Sequence, residues 1–176
     1  MSNYIISNPI AGILPITGTD SGVTQANASS AAPSPPMYPG MVVRATDATL
    51  GSGEFILLAG VASTAVGSVV TYNTASFTTA LAPVGANKPQ PIAIAMVANT
   101  SSSKWSWYQI SGTAVAKKTS ALALGSNAAV GVLTTGLIAA TATGKEVQGA
   151  LTAAKATTPT TVTLIINRPH MQGRIT

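Results

Sequence analysis

The sequence predicts an all-β protein: a small β-barrel or β-sandwich of short antiparallel strands with an extended N-terminal arm. Three observations lead there. From Gly40 onward, short runs rich in Val, Ile, Thr and aromatic residues are punctuated by Gly, Asn, Asp and Ser, the pattern of strands and tight turns. Residues 1–39 instead hold Pro9, Pro15, Pro33, Pro35, Pro36 and Pro39 with a polar middle and one charge, Asp20. Finally, only 7% of the chain is charged although 46% is apolar, whereas an ordinary soluble domain carries about a quarter charged residues. Much of the surface must therefore be Thr, Ser, Asn, Ala and Gly, and such a surface suits being covered by other protein.

The organisation follows as an arm at 1–39, a β-rich domain at 40–168 and a basic tail at 169–176. In the arm, proline removes backbone donors and pushes each preceding residue toward extended conformations. Tyr4, Ile5, Ile6, Ile10, Ile13, Leu14 and Ile16 become pegs along an extended segment. Ordering so long a segment costs conformational entropy that its own residues cannot offset by touching each other. An ordered arm is therefore expected on another subunit.

Within the domain, residues 41–45 read as a strand, and residues 51–53, Gly-Ser-Gly, as a turn into a strand at 54–61. Residues 67–72 form the next strand, ended by Asn73. Pro89 and Pro91 bound a strand at 92–97, since proline sits only at a strand start or edge. Residues 104–111 and 113–117 are two segments broken at Gly112. The Thr-rich, glycine-punctuated stretch 121–144 argues for short strands, its Ala content for helix. Residues 147–155 fit either one short helix or another strand, and 160–167 is a final strand before the tail.

The same composition excludes several classes. Without cysteine there are no disulfides or thiolate metal sites, which agrees with a reducing compartment. The opening residues lack the basic region and apolar core of a secretion signal, so folding in the cytoplasm is expected. Residues 55–72 are uncharged and long enough to raise the question of a membrane span, but Gly60, Ser63, Thr64, Gly67, Ser68 and Thr71 interrupt them; buried strands are the reading, and no membrane is expected. The formal charge of +5 is spread over scattered cations, with only Lys117 and Lys118 adjacent. Phosphate-backbone binding needs cations converging on one track, so no nucleic acid is expected.

Little remains for catalysis. The four carboxylates, Asp20, Asp47, Glu54 and Glu146, are dispersed, and His170 is the sole histidine; neither a carboxylate pair nor a metal centre is expected. Residues 143–146, Thr-Gly-Lys-Glu, match the end of a phosphate loop but lack its upstream glycine and its Ser/Thr ligand, so they are read as a turn. Asn27-Ala-Ser29 and Asn99-Thr-Ser101 match glycosylation acceptors by chance. The aromatic run of residues 105–110, WSWYQI, places Trp105 and Trp107 on one strand face and Tyr108 and Ile110 on the other. Both faces are apolar and should be covered, one by the core and one by a neighbour. No enzyme and no cofactor are expected.

Three stretches, GEFILLAGVASTAVGSVVTYN at 53–73, AMVAN at 95–99 and WYQISGTAV at 107–115, resemble small virion proteins of tailed bacteriophages, in particular the capsid decoration, or cement, family. The similarity covers residues 40–117. It implies a β barrel or sandwich on the outer surface of the phage head, made in the host bacterial cytoplasm and bound between subunits of the major capsid protein. It also implies self-association, as a homotrimer or else a homodimer, and an extended arm reaching the shell. No functional residue carries over singly, because the role is spread over contact area. The chain departs from the family in its low charge and its Ala/Thr-rich stretch at 119–166. Candidate assembly contacts are Tyr4, Ile5, Ile6, Ile10, Ile13, Leu14, Ile16, Trp105 and Trp107. The alternative is a tail or fibre component, or a surface carbohydrate-binding module using Trp105, Trp107 and Tyr108.

Overall fold

A computed structural model describes residues 4–7, 13–16, 25–26, 33–34, 37–99, 101–120, 123–156 and 159–173. Among them every regular element is a strand. In chain order these are β1 (Ile5–Ile6), β2 (Gln25–Ala26), β3 (Pro33–Ser34), β4 (Val42–Asp47), β5 (Gly51–Ala59), β6 (Val69–Tyr72), β7 (Thr79–Leu81), β8 (Ile92–Ala95), β9 (Trp105–Lys117), β10 (Ala129–Thr134), β11 (Leu137–Ala140), β12 (Glu146–Thr152) and β13 (Thr161–Met171).

The protein is all-β. Its main sheet is antiparallel and runs β1-β4-β5-β9-β13-β12-β10-β11, while β8, β6 and β7 continue from β9 as a branch; β2 and β3 pair only with each other. The sheet is not closed into a barrel. A single parallel bridge between Lys118 and Ile138 draws β11 back toward the end of β9, and the curled leaves stack in a sandwich-like arrangement.

Side-chain alternation explains the stacking. On β5, Phe55 and Leu57 join one core with Trp107, while Ile56 and Leu58 join a second with Tyr108 and Ile110. The β6–β8 leaf is buried on both sides: Val70, Ala93 and Ala95 face that second core, and Val69, Ile92 and Ile94 face a third. The third core is completed by Ala114, Ala116, Val130, Val132, Val147, Val162, Leu164 and Ile166 from β9, β10, β12 and β13. Strands covered on both faces read as continuous apolar runs, which is why residues 55–72 resemble a membrane segment. They are two strands and a turn, and no helix among the described residues is long and apolar enough to cross a membrane.

Several boundaries differ from the sequence reading. The β4–β5 turn falls at 48–50, because Asp47 Oδ1 accepts the N–H groups of Thr49 and Leu50 at 2.8 and 2.9 Å; Gly51-Ser-Gly53 lies inside β5. Residues 105–117 are one strand bent at Gly112, not two. The open choice at 147–155 resolves as strand β12. Part of the segment read as tail, Pro169 to Met171, belongs to β13, where Pro169 and His170 continue the strand and His170 bridges to Pro91.

The largest correction concerns the arm. Residues 4–7 and 13–16 dock on this chain's own domain, where another subunit was expected to receive them: β1 pairs antiparallel with β4 in the register Ile5–Thr46 and Ile6–Ala45. Tyr4 and Ile16 lie in the first core. Packing against the β4–β5–β9 face supplies the apolar burial that contacts within the arm could not.

Candidate functional site

The groove that receives the arm begins at the bend in β9. Gly112 has φ +96°, and a Cβ there would run into the Ser52 carbonyl oxygen. Only glycine fits, since the left-handed backbone and the close approach of β5 both exclude a side chain. The bend leaves carbonyls on either side of Gly112 to be satisfied by side chains. Gln109 Nε2 donates to Ser111 O at 3.1 Å and to Thr113 O at 3.0 Å, and Tyr4 Oη donates to Thr113 O at 3.0 Å. Tyr4 and Gln109 are buried, and Ser111 and Thr113 partly so; a polar group left unmatched when fully buried would cost about 1–3 kcal/mol.

Tyr4 is held on its ring as well as its hydroxyl. Its centroid lies 4.7 Å from that of Phe55 with the planes at 65°, an edge-to-face pair. Burial pushes the Tyr4 phenol above its ordinary pKa; the Gln109 hydrogen bond opposes the rise and the Asp47 charge adds to it. Further along the arm, Leu14 offers its carbonyl to Trp107 Nε1 at 3.1 Å. Ile13 and Leu14 are partly buried on the same core, and Ile16 is fully inside it.

The predicted contact residues therefore divide. Tyr4, Ile16 and Trp107 are buried within the chain and present no surface to a partner in this conformation; Ile6, Ile13, Leu14 and Trp105 are partly buried against the same core. Ile5 alone is largely open, at 70% exposure. Ile10 lies outside the described residues. Trp107 and Tyr108 sit in different cores, so the three aromatics do not form a sugar-stacking face. Tyr108 Oη is buried without a hydrogen-bond partner; burial raises its pKa, and the nearby Ser106 and Thr79 hydroxyls moderate the rise.

The ionisable groups are structural in their placement. Glu54 takes Arg44 on Oε1 at 3.1 Å and Arg168 on Oε2 at 2.9 Å, joining β4, β5 and β13. Burial alone would raise the Glu54 pKa, but the two guanidiniums together bring it below the ordinary value. Asp20 lies outside the described residues, and among the described residues no cluster of three or more His, Asp or Glu side chains could hold a metal. Asn99 is fully buried, donating from Nδ2 to Lys104 O at 3.1 Å and to Ser106 Oγ at 3.0 Å, so its amide is closed to glycosylation; Asn27-Ala-Ser29 lies outside the described residues. Residues 143 and 144 form a turn closed by Lys145 N–H to Ala142 O at 2.9 Å. An open depression of about 320 Å³ is lined by Thr71, Tyr72, Asn73, Thr78 and Gln90 among others, with no carboxylate, histidine or amine in its wall.

Sequence reasoning missed the outer face of β9, β13 and β12. Here Val115, Ile165 and Leu151 are 42%, 52% and 46% exposed. Leu151 pairs directly with Ile165, and Val115 pairs with Thr163, two residues along the same face. Period-2 alternation was the available signal, but it needed the strand register to show which aliphatics pointed outward.

No protein-family model matches the chain, and no curated protein matches it.

Proposed function

We propose that this protein is a non-catalytic structural subunit of a larger protein shell, in the manner of a capsid decoration protein on a phage head. The observation that supports this best is the outer face of β9–β13–β12. A solvated antiparallel face alternates apolar-in with polar-out; here the inward Ala114, Ala116, Val162, Leu164 and Ile166 are matched outside by Val115, Ile165 and Leu151 with threonines between them. Such a face gains by burial against protein, at roughly 25 cal/mol per Å² of apolar area removed from water. The major capsid protein is the proposed partner, the virion surface the proposed location, and the contribution is added contact area repeated over many copies.

The direct experiment adds purified protein to shells stripped of it and compares their heat resistance with and without Leu151→Lys and Ile165→Lys. Decorated shells should survive higher temperatures, and the double variant, still folded by circular dichroism, should neither bind nor protect. Equal resistance of bare and decorated shells overturns the proposal.

A further inference from the structure

The open depression of about 320 Å³ lies at the end of β6, where Tyr72, Asn73 and Thr74 leave the strand; Thr78 and Thr79 border it at β7, and Gln90 and Pro91 border it where the chain enters β8. Its polar side chains are held in place but not used up. Asn73 Oδ1 accepts the N–H groups of Ala75 and Ser76 at 2.8 and 3.0 Å, which fixes the amide and leaves its two Nδ2 donors free. Among the described residues nothing bonds those donors, the Gln90 side-chain amide or the Tyr72 hydroxyl. The hairpin that carries Asn73 and Thr78 is braced from behind. Phe77 takes φ +55°, a left-handed backbone that bulky residues rarely adopt. Its ring closes on Gly40, where a Cβ would collide with it, and its backbone bonds Asn73 O at 2.9 Å and Ala59 N at 3.0 Å. Such strain persists only where the surroundings enforce it, here at the rim of a preformed depression.

We propose that this depression binds a neutral saccharide. Its volume is at the lower end of the roughly 300–1,000 Å³ typical of small-ligand pockets, which suits the end of a glycan rather than a long segment of one. A sugar presents C–H groups between uncharged hydroxyls, each able to give and to take a hydrogen bond, and the wall answers both needs. Asn73 offers donors, Gln90 offers donors and an acceptor, and the half-buried Tyr72, packed on the second core, offers an apolar ring with a polar tip. Charged ligands fit worse. No carboxylate, histidine or amine lines the wall, and the nearby Arg168 guanidinium, whose charge is felt at Tyr72, is engaged by Glu54 at 2.9 Å. An added peptide strand needs a free sheet edge, whereas β6 is already paired on both sides, with β7 and β8. The site shares no residue with Trp105, Trp107 and Tyr108 or with the exposed aliphatic face of β9–β13–β12, and so stands whether or not the protein joins a shell.

The test titrates the isotopically labelled full-length chain, followed by NMR, with the methyl glycosides of glucose, galactose, mannose and N-acetylglucosamine and with maltose, lactose and chitobiose. Glucuronic acid and glucose phosphate serve as anionic probes, and a blocked tetraalanine peptide as the peptide probe. At least one neutral sugar should shift the amide signals of Tyr72, Asn73, Thr78 and Gln90 saturably. Each neutral bond only replaces one to water, so a dissociation constant of about a millimolar is expected. Asn73→Asp keeps the acceptor that closes the turn and loses the donors, and Gln90→Ala removes an exposed amide; each should weaken binding about fivefold or more while the circular dichroism spectrum stays the same. Ile5→Ala, outside the depression, should leave the affinity unchanged. The proposal is overturned if no neutral sugar moves these signals, if the shifts fall elsewhere on the molecule, or if both amide variants bind as the natural chain does. Tighter binding of an anionic probe or of the peptide overturns it too. Should a variant fail to fold, the titrations of the natural chain decide alone, and failure of the shell-binding experiment would leave them untouched.

Discussion

The Tyr4 phenol donates a hydrogen bond to the carbonyl of Thr113 at 3.0 Å, across 109 positions of chain. This bond ties the beginning of the arm to the bend of the longest strand. It makes the arm part of the core rather than an appendage.

Removing that side chain should therefore act like a core truncation. Tyr4→Ala is expected to cost about 3 kcal/mol or more, from lost aromatic burial and the cavity left beside Phe55. Tyr4→Phe keeps the ring and leaves Thr113 O with Gln109 as donor, so about 1 kcal/mol is expected. Ile5→Ala, on the open side of β1, should change stability by less than about 0.5 kcal/mol. Urea unfolding midpoints order the three, and an equal effect of Tyr4→Ala and Ile5→Ala would show that the arm is not seated.

Alkaline pH should loosen the fold by a defined route. Burial raises the pKa of Tyr4, Tyr72 and Tyr108 above 10.0, so the folded state holds these protons more tightly than the unfolded chain. Their contribution is full below the unfolded value and is lost as pH rises through the folded ones. Thermal melts across the alkaline range should show stability falling above about pH 10. Tyr4→Phe, less stable at neutral pH, should have a shallower alkaline decline; an unchanged slope would rule out Tyr4 as a contributor.

Two glycines with similar backbone angles separate strain from collision. Gly51 has φ +73° with open space where a Cβ would lie, whereas Gly112 at φ +96° faces the Ser52 carbonyl. Gly51→Ala should cost about 1–2 kcal/mol from backbone conformation alone. Gly112→Ala should cost about 3 kcal/mol or more, because β5 must also move. Chemical denaturation of both variants measures the difference, and equal costs would remove the close approach as an explanation for Gly112.

The strands were legible in sequence wherever alternation ran unbroken. Trp105 and Trp107 face away from Tyr108 and Ile110 as period 2 demands, whereas the alternating burial of Val42 to Asp47 leaves Val42 exposed and Asp47 buried. Residues 147–155 hid their state because a bulge inserts Gly149, at φ +76°, and moves the buried positions to Val147 and Ala150. That spacing of three imitates a helix. The groove was illegible for another reason: Tyr4, Gln109 and Thr113 meet only through tertiary packing, and nothing local in Tyr4 distinguishes an anchor of this chain from a peg for another. The outer aliphatic face waited on strand register, since Ile165 and Ile166 are adjacent in sequence and opposite in direction.

The bend at Gly112 also governs how the molecule must come apart. The first half of β9 pairs with β5 and β8 and the second half with β13, so neither side can open without extracting a strand that the other side holds. One cooperative melting step is therefore the expected behaviour, checked by the coincidence of unfolding transitions followed by tryptophan fluorescence and by circular dichroism. Because β5 and β13 pair with β9 across long stretches of chain, folding waits on distant segments meeting and is expected to be slow by topology.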